Sequence, residues 1–175
     1  VTQDMDVLGH CFTDDNWVVA INVSASQIRA SDFLHDLKQR IDAEPRLARH
    51  LELEITESVL IDDIDEVAQL MRDVSATGIQ FALDDFGTGY SSLIYLKLLP
   101  LRRLKIDQGL VKDLLTDRSD EAIVKTVIAL ANGLGLETIA EGVETKEQQN
   151  RLVELGCNQL QGFYLGRPEP LAHWQ

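Results

Sequence analysis

The chain is short of cysteine, of basic charge and of long apolar runs, and each shortage excludes a class of protein. Only two of its 175 residues are cysteine, Cys11 and Cys157, with no CxxC pair. Two isolated thiols suit a reducing cytoplasm better than a disulfide-stapled scaffold. Lys and Arg number 16 against 29 Asp and Glu, a net charge of −13. That balance disfavours nonspecific binding to a nucleic acid polymer or to anionic lipid. No apolar run reaches the length of a membrane span, so no membrane contact is expected from this segment. Phosphate loops of the GxGxxG or GxxxxGK[ST] kind are missing too, which removes support for a nucleotide-binding open sheet. The four histidines, His10, His35, His50 and His173, fall in none of the acidic motifs described below and read as surface or structural residues.

What is present is a rhythm. Trp17–Val23 is a nearly continuous apolar run of strand length, broken only by Asn22. The segment from Ser31 puts Phe33, Leu34, Leu37 and Ile41 on one helical face, and Pro45 breaks it. Leu51–Thr56 reads as a second strand, followed by a helix over Asp65–Thr77 with Val67, Leu70, Met71 and Val74 in register. Phe81 opens a third strand and Ser91 a short helix that ends before Pro100. Arg103–Asp107 is the fourth strand, Ser119–Leu134 a long helix with Ile123, Val127, Leu130 and Leu134 inward, and Glu137–Val143 a fifth strand turning into a loop. Thr145 and Gln148 form a capping box for the last helix, and Gln159–Phe163 is the sixth strand. Three times a helix stops at a glycine (Gly78, Gly135, Gly156) before an apolar residue, a short strand and a polar group. Successive βα units of this kind imply parallel strands with helices outside. The stretch 1–16 is mixed, with Met5, Val7, Leu8 and Phe12 on one possible helix face. Val1 enters helix-like sequence directly and Gln175 falls inside LAHWQ, so both ends are expected to be cut.

The polar groups choose between a doubly wound sheet and a barrel. Asn22, Glu54, Asp84, Asp85, Lys105, Glu141 and Gln161 all sit at or near the C-terminal ends of their strands. In a (β/α)8 barrel those ends converge on one mouth, where active sites of this architecture lie. The expected fold is therefore an α/β TIM-like barrel, incomplete at about six strands. Each residue also has a plainer reading. Asn22 is a ligand through its amide oxygen or a satisfied turn amide, and Glu54 and Glu52 share a strand face as ligand and ion pair. Asp84 and Asp85 face a cation or cap the next helix. Glu57 is a ligand or a loop tether, and Lys105 is a site cation or the partner of Asp84 or Asp107. Glu141 and Glu144 project from a tight turn or supply helix-start acidity, and Gln161 is a site amide or a strand-end amide. Together they gather so many carboxylates at one mouth that cations are needed to keep them ionised. Two divalent metals sharing a carboxylate such as Asp84, activating water for attack on phosphorus, would suit them. Oxygen donors without His or Cys favour Mg²⁺ or Mn²⁺ over zinc.

INVSASQ, LELEITES, ALDDFGTGYSSL, LKID, AEGVET and LGCNQLQGFYLGRP, in that order from about residue 17 onward, closely resemble the EAL-domain family of bacterial cyclic di-GMP phosphodiesterases. The resemblance implies a modified TIM barrel that cleaves cyclic di-GMP to pGpG with Mg²⁺ or Mn²⁺, acting as a homodimer. A cytoplasmic location follows, alone or behind an upstream sensor or membrane domain. Motif by motif, Asn22, Glu54, Asp84 and Asp85 would be metal ligands. Lys105 would position or polarise the attacking water or balance charge. Glu141 matches a glutamate proposed as general base and Gln161 a substrate-site amide. Glu57 would anchor the DDFGTGYSS loop, with Glu144 supporting from behind. The chain departs from the family where the E-A-L strand and the strand before it should stand, so residues 1–175 are expected to be one such domain cut at its N-terminus and at its C-terminus, inactive alone. The alternative is a degenerate member, a cyclic di-GMP receptor or protein-interaction module without turnover.

Overall fold

Six short β-rich runs pair side by side in the order in which they occur along the chain. The computed structural model describes residues 17–57, 64–87 and 93–170. Within them β1 is Val19–Asn22, β2 Leu51–Thr56, β3 Gln80–Phe86, β4 Arg103–Ile106, β5 Glu137–Ala140 and β6 Gln159–Leu160. All five pairings are parallel, and the order is β1-β2-β3-β4-β5-β6. The helices α1 (Ala25–Arg29), α2 (Ser31–Ala43), α3 (Ile64–Ser75), α4 (Leu93–Leu98), α5 (Gln108–Asp113), α6 (Arg118–Leu134) and α7 (Lys146–Glu154) connect them, with a 3₁₀ segment at Pro45–His50. The result is a curled half-barrel, the incomplete TIM-like architecture expected from the sequence.

Strand alternation decides what goes where, because successive residues point to opposite faces. On β2, Leu51, Leu53 and Ile55 join the core shared with the helices, and so do Phe81 and Leu83 on β3 and Leu104 and Ile106 on β4. Glu52, Glu54, Asp84, Arg103 and Lys105 occupy the other face. The helices meet the sheet with regular apolar stripes. Helix α3 buries Val67, Ala68, Met71 and Val74, and α6 buries Val124, Val127, Ile128 and Ala131. Each large aliphatic side chain so buried contributes about 1.5–3 kcal/mol. The stripe on α6 differs from the expected one: Ile123 is exposed, and Leu130 and Leu134 only flank the core. The small Val124 and Ala131 let this helix lie close to the sheet, which rotates the buried face by one residue.

Helix punctuation follows the sequence. Gly78, Gly135 and Gly156 all have positive φ, and Thr145 with Gln148 closes its capping box. A second box, Ser24 with Gln27, starts α1, and Asp107 caps α5 by accepting the Gly109 amide at 2.8 Å. Neither α1 nor α5 was expected, although S-A-S-Q carries the capping signature. His50 is buried, stacked on Trp17 at 4.1 Å, with Nδ1 2.9 Å from the Trp17 carbonyl. His35 lies on the surface beside Gln39, and Cys157 carries a half-buried free thiol. Cys11, His10, His173, the expected helix face at Met5–Phe12 and most of the loop after Gly87 lie outside the described residues. Among the described residues no helix is long and apolar enough to cross a membrane.

β5 gives way to its expected loop after Ala140, and β6 ends at Leu160, earlier than expected. The reason is a backbone contact. Gly162 lies so close to Val143 that a Cβ there would sit 2.2 Å from the Val143 nitrogen and oxygen. The Val143 amide donates to the Gln161 carbonyl, and the Tyr164 amide to the Val143 carbonyl. This clasp pulls both chains out of the ladder and ties the loop that carries Glu141 to the one that carries Gln161. Gly162→Ala is therefore expected to destabilise the fold by about 1–3 kcal/mol, the range for overpacking at a filled position. Thermal unfolding of the variant tests this, and an unchanged Tm would show that the two loops are not locked.

Candidate active site

The C-terminal ends of the strands form the site. Asn22 ends β1 and pairs in register with Glu54 of β2. Asp84 and Asp85 lie near the end of β3, Lys105 is the penultimate residue of β4, and Glu141 and Gln161 directly follow β5 and β6. The apolar partners of these strands face the helices, so the polar residues are left to the concave side.

Lys105 stands at the centre. Its Nζ lies 2.8 Å from Glu54 Oε2, 2.9 Å from Asp84 Oδ1 and 2.8 Å from Glu141 Oε1, linking strands β2, β3 and the end of β5. The residue is only 4% exposed and Glu54 8%. Burial, the largest single influence, would lower the pKa of the ammonium. The hydrogen bonds to Glu141, Glu54 and Asp84 together outweigh it and hold the pKa above the ordinary lysine value. Lys105 is therefore a fixed cation, and the expected pairing with Asp84 is one third of its coordination. Asp107 is occupied instead in capping α5.

The neighbouring aspartates would ordinarily diverge to opposite faces of the sheet. Here the register shifts between Leu83 and Phe86, and Asp85 takes φ 55°. The irregularity keeps both carboxylates at the mouth, where Asp84, Asp85 and Glu141 offer oxygens that all lie within 4.8 Å of one another. The Asp85 amide donates to Asp84 Oδ1 at 3.0 Å and helps fix that carboxylate. The pKa of Asp85 is raised, first by desolvation and then by Asp84, Asp107 and Glu57. That of Glu141 is raised by burial, against the pull of Lys105.

The remaining candidates hold outer positions. Glu57 accepts the Gly87 amide at 3.4 Å, so it reaches the start of the loop after β3. Gln161 is exposed beside the Val143 clasp. Glu144 is exposed at the start of α7, its amide donating to Gln148 Oε1 at 2.9 Å, and it is not part of the close carboxylate group. The sequence placed Glu52 as an ion pair on the face of Glu54 but missed its partners, Arg103 and Glu137, which form a second row of ion pairs beneath the site. Glu52 bonds Arg103 at 2.7 Å, and Arg103 bonds Glu137 at 3.0 Å. The signal was the alternation in L-E-L-E and R-L-K, which places Glu52 below Glu54 and Arg103 below Lys105.

A single ammonium against Glu54, Asp84, Asp85 and Glu141 leaves negative charge in excess. The donors are hard oxygens at short mutual range, which suits a hard divalent cation. Removing the ammonium leaves three partly buried carboxylates without their common partner. Lys105→Met is expected to lower stability by about 3–5 kcal/mol, as for other buried ion pairs broken on one side. Thermal unfolding at neutral pH measures the loss, and an unchanged Tm would contradict the central place given to Lys105.

Comparison with known proteins agrees with this geometry. The family model for the EAL domain matches residues 1–168. The bifunctional diguanylate cyclase/cyclic di-GMP phosphodiesterase MucR of Pseudomonas aeruginosa is 45% identical over 155 residues, covering 89% of this chain and 23% of that protein. The chain thus spans about a quarter of the length of this relative. The solved PaMucR phosphodiesterase in complex with c-di-GMP superposes with a TM-score of 0.89 at 41% identity, over 99% of this chain and 69% of that one. A manganese/cy-diGMP complex of Klebsiella pneumoniae BlrP1 gives a TM-score of 0.81 at 30% identity, over 94% and 42%. A half-barrel of parallel strands with its carboxylates gathered around Lys105, matched by the family model along nearly its whole length, belongs to the EAL domain family.

Proposed function

We propose that the protein hydrolyses cyclic di-GMP to pGpG with Mg²⁺ or Mn²⁺, two ions in the complete site, and so lowers the level of this second messenger. The observation that carries this reading is the convergence of Asp84, Asp85 and Glu141 within 4.8 Å beside a lysine-bridged Glu54. Relatives named as cyclic di-GMP phosphodiesterases support it, as do neighbours solved with c-di-GMP and with calcium or manganese. Residues 1–175 are read as belonging to one phosphodiesterase domain of the EAL type. It would work in the cytoplasm as a homodimer, alone or joined to a sensor or membrane segment.

Asn22, Glu54, Asp84 and Asp85 would hold the ions, and the Glu141 carboxylate lies within 4.8 Å of the two aspartates. The bound cations would polarise a phosphoryl oxygen and ease deprotonation of a water. The protein's own residues do the rest. Lys105, held protonated, is a poor base; it keeps Glu54, Asp84 and Glu141 in one arrangement and balances part of their charge. Glu141, hydrogen-bonded to Lys105 and close to the two aspartates, would be placed to accept a proton from the attacking water. Glu57 holds the start of the loop after β3 through the Gly87 amide, and Gln161, tied to Val143, would orient the substrate at the rim. Glu144 would support that rim from the start of α7.

Asp84→Asn in the whole protein is expected to abolish turnover and to weaken Mn²⁺ binding by about tenfold or more. Product chromatography and a metal titration measure the two effects. Wild-type turnover by this variant would refute the role of Asp84 in holding the ions.

A further inference from the structure

The ion pairs beneath the site repeat its geometry one layer down. On β2, Glu52 stands two residues before Glu54, and on β4 Arg103 stands two residues before Lys105. Two residues is the repeat of one strand face. In both rows a β4 cation reaches a β2 carboxylate across the intervening strand β3. The upper row meets Asp84 on the way. In the lower row β3 presents Ala82, fully buried and in register with both Glu54 and Arg103. Its methyl group is small enough to let Arg103 pass.

Arg103 uses two edges of its guanidinium. Nη1 lies 2.7 Å from Glu52 Oε2 and Nε 3.0 Å from Glu137 Oε2. Glu137 also binds Arg102 and accepts from Gln159 Nε2 at 3.4 Å. One planar side chain thus sets the spacing of β2, β4 and β5, the strands that carry Glu54, Lys105 and, just past its end, Glu141. A lysine would keep the charge but not the fork. Glu52 is 2% exposed, and without Arg103 its buried carboxylate would lose its hydrogen-bonded counter-charge.

We propose that the Glu52–Arg103–Glu137 row is a charged floor that positions the carboxylates above it, with Arg103 as its positioning residue. The proposal rests on the reading of the upper carboxylates as a divalent-cation site. Its test turns on sign. Arg103 is itself a cation below a cation site, so electrostatics alone predicts that Arg103→Met binds Mn²⁺ more tightly. A positioning role predicts that affinity falls by about tenfold, as when the groups that orient metal ligands are removed. Arg103→Lys, which keeps the charge and loses the fork, should fall in the same direction.

Mn²⁺ titration of the whole protein, followed by the electron paramagnetic resonance of the free ion, reads this without turnover. The double variant Glu52→Leu/Arg103→Met removes both charges and guards against a single variant that does not fold. Folded variants with unchanged or raised affinity overturn the floor. Should the wild-type protein bind no Mn²⁺, the metal-site reading fails, and crystal structures of the wild-type and double variants still decide the floor. Loss of the 2.8 Å contact between Lys105 and Glu54 in the variant supports it, and an upper row that superposes on the wild type overturns it.

Discussion

One buried ammonium holds the mouth of this half-barrel together. Glu54, Asp84 and Glu141 come from separate βα units, and bringing them together costs desolvation and mutual repulsion. Lys105 offsets both by offering its three N–H bonds, one to each carboxylate. Like-charge repulsion is only partly relieved, since Asp85 adds a fourth carboxylate at the rim. The residual negative field is what makes the site receptive to hard divalent cations. Binding such cations would in turn stabilise the folded state by mass action.

The strand and helix plan was legible because it rests on local signals. β-branched apolar runs, terminal glycines and the Thr145 capping box each act within a few residues. Placing Asn22, Glu54, Lys105, Glu141 and Gln161 at strand ends was enough to choose a barrel-like closure over an open sheet. What the sequence hid was non-local. The register shift at the end of β3 depends on how β3 meets β4, and it alone explains why two consecutive aspartates serve one face. The early end of β6 depends on Gly162 meeting Val143. The rotation of the α6 stripe depends on which residues are small enough to approach the sheet.

The inner face of the sheet carries charge in layers where a barrel interior is often aliphatic. Ion pairs of this burial contribute little net stability compared with apolar packing, so their effect here is geometric. Arg103 and Lys105 each join strands that are not neighbours, which neither a backbone ladder nor a methyl contact can do. The outer face supplies the folding energy through Leu53, Phe81, Leu83, Leu104 and the helices against them. The division of labour between the two faces follows from the period of two along each strand.

Metal-dependent phosphodiester hydrolysis at the Lys105 cluster is tested most directly by incubating the whole protein with cyclic di-GMP in Mg²⁺, in Mn²⁺ and in excess chelator, and separating the products by chromatography. pGpG is expected in both metals and none with chelator. Tight binding of cyclic di-GMP with no product under either metal would contradict it and make the protein a receptor.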